Sequence, residues 1–318
     1  MFSLSQDAVK IVKEKVIPFA EQLNCKVLHL TNGTTVIDMG VEAPGGWLAG
    51  KLFVEATIAG LGHVDFGRFQ LGSIDLPSID VYIDHPQEAC LSSQFSSWPM
   101  PPVPAGVIQK MGSGPARAIA KNDMFVNLWD YTDTAHETVF GYQSYAMPGD
   151  DLANQIATAC RICPENLYIL VAKTGSIAGS IQVCSRTVET SIWRLHKSGL
   201  DLHKIICGMG TCPIAPPSRD EFKAMVRANS AVIYGGMVRY VVDCSDAEIE
   251  AILPVLPTMA AKRYGMPFGQ MFEEGGRDVF KTDKDINSVA LWEIQNYNTG
   301  TVFRVGEIKE EYLREIIE

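Results

Sequence analysis

Apolar positions along the chain switch repeatedly between a helical and a strand period. Ala8, Val9, Ile11, Val12, Val16, Phe19 and Leu23 recur at helical spacing, and Ser5 can cap, so a helix is predicted over 5–23. Residues 25–31 alternate, Asn32-Gly33 is a hairpin signal, and 34–39 reads as the partner strand. Pro44-Gly45-Gly46 breaks the chain before an apolar helix from Trp47 to about Ala59. A strand over 78–83 ends at Asp84-His85-Pro86, and a helix near 87–94 follows. The proline-dense loop 98–104 marks a boundary between lobes.

The second half repeats the alternation. Residues 150–162 are helical, 166–172 form a buried strand, 186–197 are helical and 203–207 form another strand. Helix is expected over 218–229 and strand over 231–242, with Gly235-Gly236 at a bulge or turn. A hairpin around 296–300 and a helix over 307–317 follow. Hairpins mixed with alternating helices predict an α/β protein with mixed sheets, not a doubly wound parallel sheet. The lobes are expected at 1–100 with 245–318, and at 101–244. A substrate cleft between them is not legible from periodicity.

Composition removes several function classes. No run of about 18 apolar residues occurs, so no membrane span is expected. No basic stretch followed by an apolar core opens the sequence, so no secretory leader is expected. The net charge of −10 disfavours nucleic-acid partners, which need a basic patch. The eight cysteines are scattered and read as reduced thiols of a cytoplasmic protein. Cys160 and Cys163 form the one CxxC. No second ligand pair follows at zinc spacing, which leaves a redox pair or an ordinary helix end.

Nucleotide-binding and common hydrolase or metalloprotease signatures are missing, and the six histidines show no ligand spacing. Carboxylates, arginines and backbone amides must then supply any chemistry. Gly112, Ser113 and Gly114 lie in a glycine turn that opens a helix at Pro115, followed by Arg117. Residues 208–217 read as a long uncharged loop leaving a strand, with Thr211 and Cys212 in it. Arg186 and Glu189, three apart, share one helix face. On a surface helix such a pair means nothing for function. Here it follows the small, nearly uncharged run 174–185, where partial burial can tune a carboxylate.

In series, these segments resemble the methenyltetrahydromethanopterin cyclohydrolase family. The matching stretches are Val36-Ile37-Asp38-Met39-Gly40, Pro44-Gly45-Gly46, Asp84-His85-Pro86, and Cys90-Leu91-Ser92-Ser93-Gln94 with Trp98. They continue with Met111-Gly112-Ser113-Gly114-Pro115-Ala116-Arg117-Ala118, Arg186-Thr187-Val188-Glu189-Thr190, Gly210-Thr211-Cys212-Pro213-Ile214-Ala215-Pro216, Tyr234-Gly235-Gly236 and Tyr264-Gly265-Met266-Pro267-Phe268. The chain departs from the family pattern at Ser92, at Cys212 and in the aromatic-rich stretch 122–147.

The resemblance implies a two-lobed subunit with a cleft between the lobes, a homotrimer, and a pterin substrate with no further cofactor or metal. It implies that Arg186 and Glu189 match the family's catalytic arginine and glutamate. Ser93, Gln94, Gly112, Ser113, Gly114, Arg117, Thr211 and Cys212 are the expected substrate-binding residues. The readings that compete are a cyclohydrolase for another folate-like carrier, a non-catalytic pterin carrier, and a CxxC redox protein.

Overall fold

Ser3 caps the first helix, two residues earlier than Ser5. Its hydroxyl accepts the Gln6 N–H at 3.2 Å, while Ser5 is buried with its own hydroxyl 2.9 Å from Thr138. In the computed structural model, which describes residues 2–317, the helical path then changes pitch. The α-helical part, α1, is Leu4–Ile11; a wider turn covers Val12–Val16 and a tighter one Ile17–Phe19. Pro18 has no N–H to donate to the preceding turn, which is where the regular helix cannot continue.

The hairpin at Asn32-Gly33 joins β1 (Lys26–His29) to β2 (Thr35–Asp38), with Gly33 at φ +91°. Helix α2 (Trp47–Thr57) precedes two ten-residue strands, β3 (Gly62–Leu71) and β4 (Ile74–Ile83). Only the end of β4 was legible in the sequence. β3 is an edge strand that buries little beyond Val64 and Phe69, so polar residues fill it and the apolar pattern is thin. A π-helical turn covers Gln87–Gln94; β5 (Met111–Ser113) and α3 (Ala116–Ala120) follow, then β6 (Thr138–Gln143), α4 (Asp150–Cys160) and β7 (Leu167–Ala172). Two consecutive helices come next, α5 (Ile177–Cys184) and α6 (Thr187–Lys197). The remainder is β8 (Ile205–Pro213), α7 (Glu221–Gly235), β9 (Met237–Val242), α8 (Asp246–Ile252), α9 (Phe268–Glu274), β10 (Leu291–Asn296), β11 (Val302–Gly306) and α10 (Glu310–Ile317).

These strands form two mixed sheets, in the orders β1-β2-β7-β6-β5 and β11-β10-β9-β8-β4-β3. The α/β class expected from the sequence is the observed one. Sheet membership does not follow the ranges 1–100, 101–244 and 245–318. β2 pairs with β7, while β8 pairs with β4 and β9 pairs with β10. Helix α5 is buried from Ala178 to Cys184 and packs against both α2 and α7.

Two sequence expectations change. Residues 208–213 are not loop but the second half of β8, and 231–235 complete α7. The α7 misreading has a simple cause: Ala228, Ala231, Val232 and Ile233 are all buried, and a helix buried all round loses the period that separates it from a strand. Among the described residues no helix is long and apolar enough to cross a membrane.

Candidate active site

The site is built where α5 hands over to α6. Ser176 caps α5, accepting the Gly179 N–H at 3.0 Å, and the helix runs through buried small and apolar residues to Cys184. Arg186 stands at the N-cap position of α6, and Glu189 lies in the first turn, where the helix dipole favours negative charge. Tyr240 fixes that turn from below. Its hydroxyl donates to the Val188 carbonyl at 2.8 Å and lies 2.9 Å from Ser191. The glycines of β8 let α6 approach this closely, since a Cβ at Gly210 would sit 2.0 Å from Thr187 Oγ1. The run read as a substrate loop is therefore a strand made thin for packing.

Arg186 and Glu189 form a buried ion pair, with Arg186 Nη1 donating to Glu189 Oε2 at 3.0 Å. Nη1 also donates to the Gln94 carbonyl at 2.6 Å, while Nη2 and Nε reach Gln182 Oε1 at 2.9 and 3.3 Å. A guanidinium has five N–H donors, so one on Nη2 is left without a partner among the described residues. Glu189 Oε1 likewise accepts no protein hydrogen bond among the described residues. Burial raises the Glu189 pKa above its ordinary 4.5; the charge and hydrogen bond of Arg186, then the charge of Arg117, oppose the rise without cancelling it. The sequence reading had Arg186 favouring the ionised form. It does, but desolvation is the larger effect.

Both residues open onto a cavity of about 280 Å³. Four aromatic residues, Phe95, Phe125, Trp193 and Phe280, share its wall. Phe125 stacks on Phe95 at 4.2 Å between centroids and meets Trp193 edge-on at 4.9 Å. Aromatic faces beside a carboxylate suit a flat, cationic, partly apolar ligand. A wider hollow of about 690 Å³, bordered by Phe222, Tyr234, Met266 and Tyr312, does not include Arg186 or Glu189. Its charged edge residues Lys223 and Glu311 are exposed, so its size alone does not make it a reaction site. Among the described residues no group of three His, Cys, Asp or Glu is placed to hold a metal ion.

The other expected residues divide by distance from this cavity. Gln94 is buried and contributes its carbonyl to Arg186. Ser93 stands behind it, with its hydroxyl on the Thr57 carbonyl at 2.6 Å and its own carbonyl accepting Gly114 N–H at 2.9 Å. Gly112 and Ser113 lie in β5 beside Met111, which lines the cavity. A Cβ on Gly112 would meet Phe140 at 2.3 Å, so this glycine serves ring packing. Gly114 adopts φ +95°, and the helix after it is only the short α3.

Arg117 is fully buried and is not among the residues that line this cavity. Its Nε and Nη2 each donate to Asp123 at 2.8 Å, and Nη1 donates to the Ser93 carbonyl at 3.0 Å. Asp123 in turn accepts the Phe125 N–H at 2.9 Å, so this ion pair sets the aromatic wall. Breaking a buried pair from one side costs about 3–5 kcal/mol. Arg117→Ala is expected to lower the thermal midpoint by a corresponding margin. An unchanged midpoint with a raised KM alone would instead restore a role in substrate contact.

Thr211 and Cys212 are not brought to the cavity. The Thr211 hydroxyl donates to Asp80 at 2.5 Å, and Cys212 is buried with its thiol raised well above the usual range by burial. The two cysteines of the CxxC stand in unlike surroundings. Cys160 is buried, donates to the Ala116 carbonyl at 3.4 Å and is pushed up to about 12 by burial, while Cys163 is exposed. The residues missed by sequence reasoning are Phe95, Trp193, Phe280 and Gln182. Only the aromatic richness of 122–147, which holds Phe125, pointed toward this wall.

The profile of the cyclohydrolase (MCH) family matches residues 3–316. The chain belongs to this family. It is 36% identical to the methenyltetrahydromethanopterin cyclohydrolase of Methanospirillum hungatei JF-1 over 312 residues, which are 98% of this chain and 97% of that protein. It is also 36% identical to the protein of the same name from Methanocaldococcus jannaschii over 319 residues, 99% of this chain and 98% of the other. The Methanothermobacter marburgensis cyclohydrolase aligns at 36% over 320 residues, 98% of each chain. Family membership is thus a property of the whole chain and includes the segment that carries Arg186 and Glu189.

Proposed function

We infer that this protein hydrolyses the methenyl bridge of methenyltetrahydromethanopterin, reversibly, to the formyl derivative, in pterin-linked one-carbon metabolism of the methanogenic type. The observation that carries this reading is the buried Arg186–Glu189 pair, opening onto an aromatic cavity in a chain of the cyclohydrolase family.

The substrate carries an amidinium-like cation, one carbon between two nitrogens. It is drawn to the Glu189 carboxylate and the aromatic faces of Phe95, Phe125 and Trp193. Glu189 Oε1, which accepts no hydrogen bond among the described residues, takes a proton from a water as the water's oxygen bonds to the bridging carbon. The cation is discharged and a neutral tetrahedral adduct forms. Glu189 then returns the proton to the leaving nitrogen as the C–N bond breaks, and the adduct's hydroxyl proton departs to solvent. One water is consumed and one proton released overall. General acid–base help of this kind is worth roughly 10²–10⁴ in rate. The Nη2 N–H of Arg186 that has no partner among the described residues is the donor for the oxygen as it becomes a carbonyl.

In this reading side chains alone do the chemistry, with no metal and no cofactor beyond the pterin, in the cytoplasm. The homotrimer that the family resemblance implies is part of the same reading. The test is a spectrophotometric assay with methenyltetrahydromethanopterin and methenyltetrahydrofolate side by side, with and without chelator. Chelator-resistant turnover of the methanopterin form is expected. Preference for the folate form would move the protein to another carrier, and binding of either without turnover would make it a carrier protein.

A further inference from the structure

The guanidinium of Arg186 is held by more than its carboxylate. Gln182, on α5 one turn earlier, offers Oε1 to both Nε and Nη2. The Gln182 amide group is held in turn: its Nε2 donates to Gln143 Oε1 at 2.9 Å. Gln143 Nε2 donates to Thr174 Oγ1 at 2.6 Å and lies 3.0 Å from Met225 Sδ, and the Thr174 hydroxyl donates to the same sulfur at 3.0 Å. All four of these polar side chains are buried. Every bond in the series runs the same way, from the cation outward, and a chain aligned like this polarises each link in favour of the next. Neither amide can be turned over without setting N–H against N–H, so the oxygen of Gln182 must face Arg186.

We propose that Gln182 is a positioning residue, which fixes the Arg186 guanidinium through a neutral acceptor and so reserves its positive charge for Glu189. A glutamate at 182 would have the same reach and would be the better partner for the cation. It would take a share of the charge that now opposes the burial of Glu189. The amide supplies the geometry without competing for the charge. Among the described residues no other cation bonds to Glu189, and Arg117, whose charge also opposes its burial, does so more weakly than Arg186. Arg117 is committed to Asp123, Lys284 lies exposed at the cavity rim, and burial holds Cys90 and Tyr240, which feel the Glu189 charge, well above their ordinary titration ranges. The catalytic meaning of this arrangement rests on Glu189 being the base, and the test separates the two.

Titration of Glu189 can be followed by infrared difference spectroscopy of its protonated carboxyl, assigned by its loss in Glu189→Gln. This needs no turnover. In Gln182→Glu the Glu189 band is expected to titrate about one unit or more higher than in wild type. With methenyltetrahydromethanopterin as substrate, the acid limb of kcat/KM should move up by the same amount. Gln182→Leu, which keeps the volume but offers no oxygen, should lower kcat about tenfold with KM little changed. It is also the variant to measure if the glutamate form does not fold. Glu189 titrating at the wild-type position in Gln182→Glu, or, where only the leucine variant folds, a wild-type kcat in it, would overturn the proposal. A shifted titration in a protein whose wild type shows no turnover would instead keep the positioning role and remove the catalytic reading.

Discussion

Replacing Glu189 by glutamine is expected to lower kcat at least about a hundredfold, with the protein folded and still able to bind the pterin. The change is nearly isosteric and replaces the basic carboxylate by a neutral amide. Arg186 Nη1 keeps an acceptor in the new amide oxygen, so the geometry of α6 survives. Loss of the carboxylate also removes the charge that attracts a cationic ligand, so KM rises modestly while the main effect falls on kcat. Steady-state kinetics alongside a thermal denaturation curve check this. Wild-type turnover in the variant would take Glu189 out of the mechanism.

Arg186→Ala has the second large effect, and it differs in kind. Four hydrogen bonds end on this guanidinium, and its removal leaves Gln182 Oε1 and the Gln94 carbonyl without their donors in a buried setting. Some stability is lost with them. Glu189 loses the main influence opposing its desolvation, so its pKa rises further. Because the base must be ionised to act, activity is lost as pH falls through that value. The acid limb of the rate profile therefore moves to higher pH in the variant. Loss of the donor to the developing carbonyl should cost about 10²–10³ in kcat at any pH. Lysine at 186 should rescue little, since a single ammonium cannot satisfy Gln182, Gln94 and Glu189 together. An unshifted acid limb in Arg186→Ala would contradict the electrostatic part of this account.

The reacting pair was legible because it is local. Two residues three apart on a helix must be neighbours, and the uncharged run before them signalled burial. The wall around them was not legible. Phe95, Phe125, Trp193 and Phe280 come from four separate segments, two of them irregular, and no local period records that they meet. Gln182 was hidden for another reason. An amide inside an apolar helix reads as a tolerated polar residue until its partners on β6 and at Arg186 are seen. Thr211 and Cys212 show the converse error. A glycine-rich run looks like a loop over a ligand, yet these glycines exist so that a helix can lie against a strand. The capping box Ser245–Glu248 at α8 is a local signal of the opposite kind, written in four consecutive residues. The two sheets, by contrast, depend on pairings such as β2 with β7 and β4 with β8, which lie more than a hundred residues apart in the chain and leave no local trace.

The central claim is that a carboxylate with a raised pKa, held by Arg186, activates water at a pterin-bound methenyl carbon. Its most direct test is the pH dependence of kcat/KM for wild-type hydrolysis of methenyltetrahydromethanopterin, which reports ionisations of the free enzyme. The account predicts measurable turnover that declines on the acid side through a pKa above the ordinary glutamate value of 4.5. A folded protein that binds the pterin without hydrolysing it, or a rate indifferent to pH across that range, would contradict it.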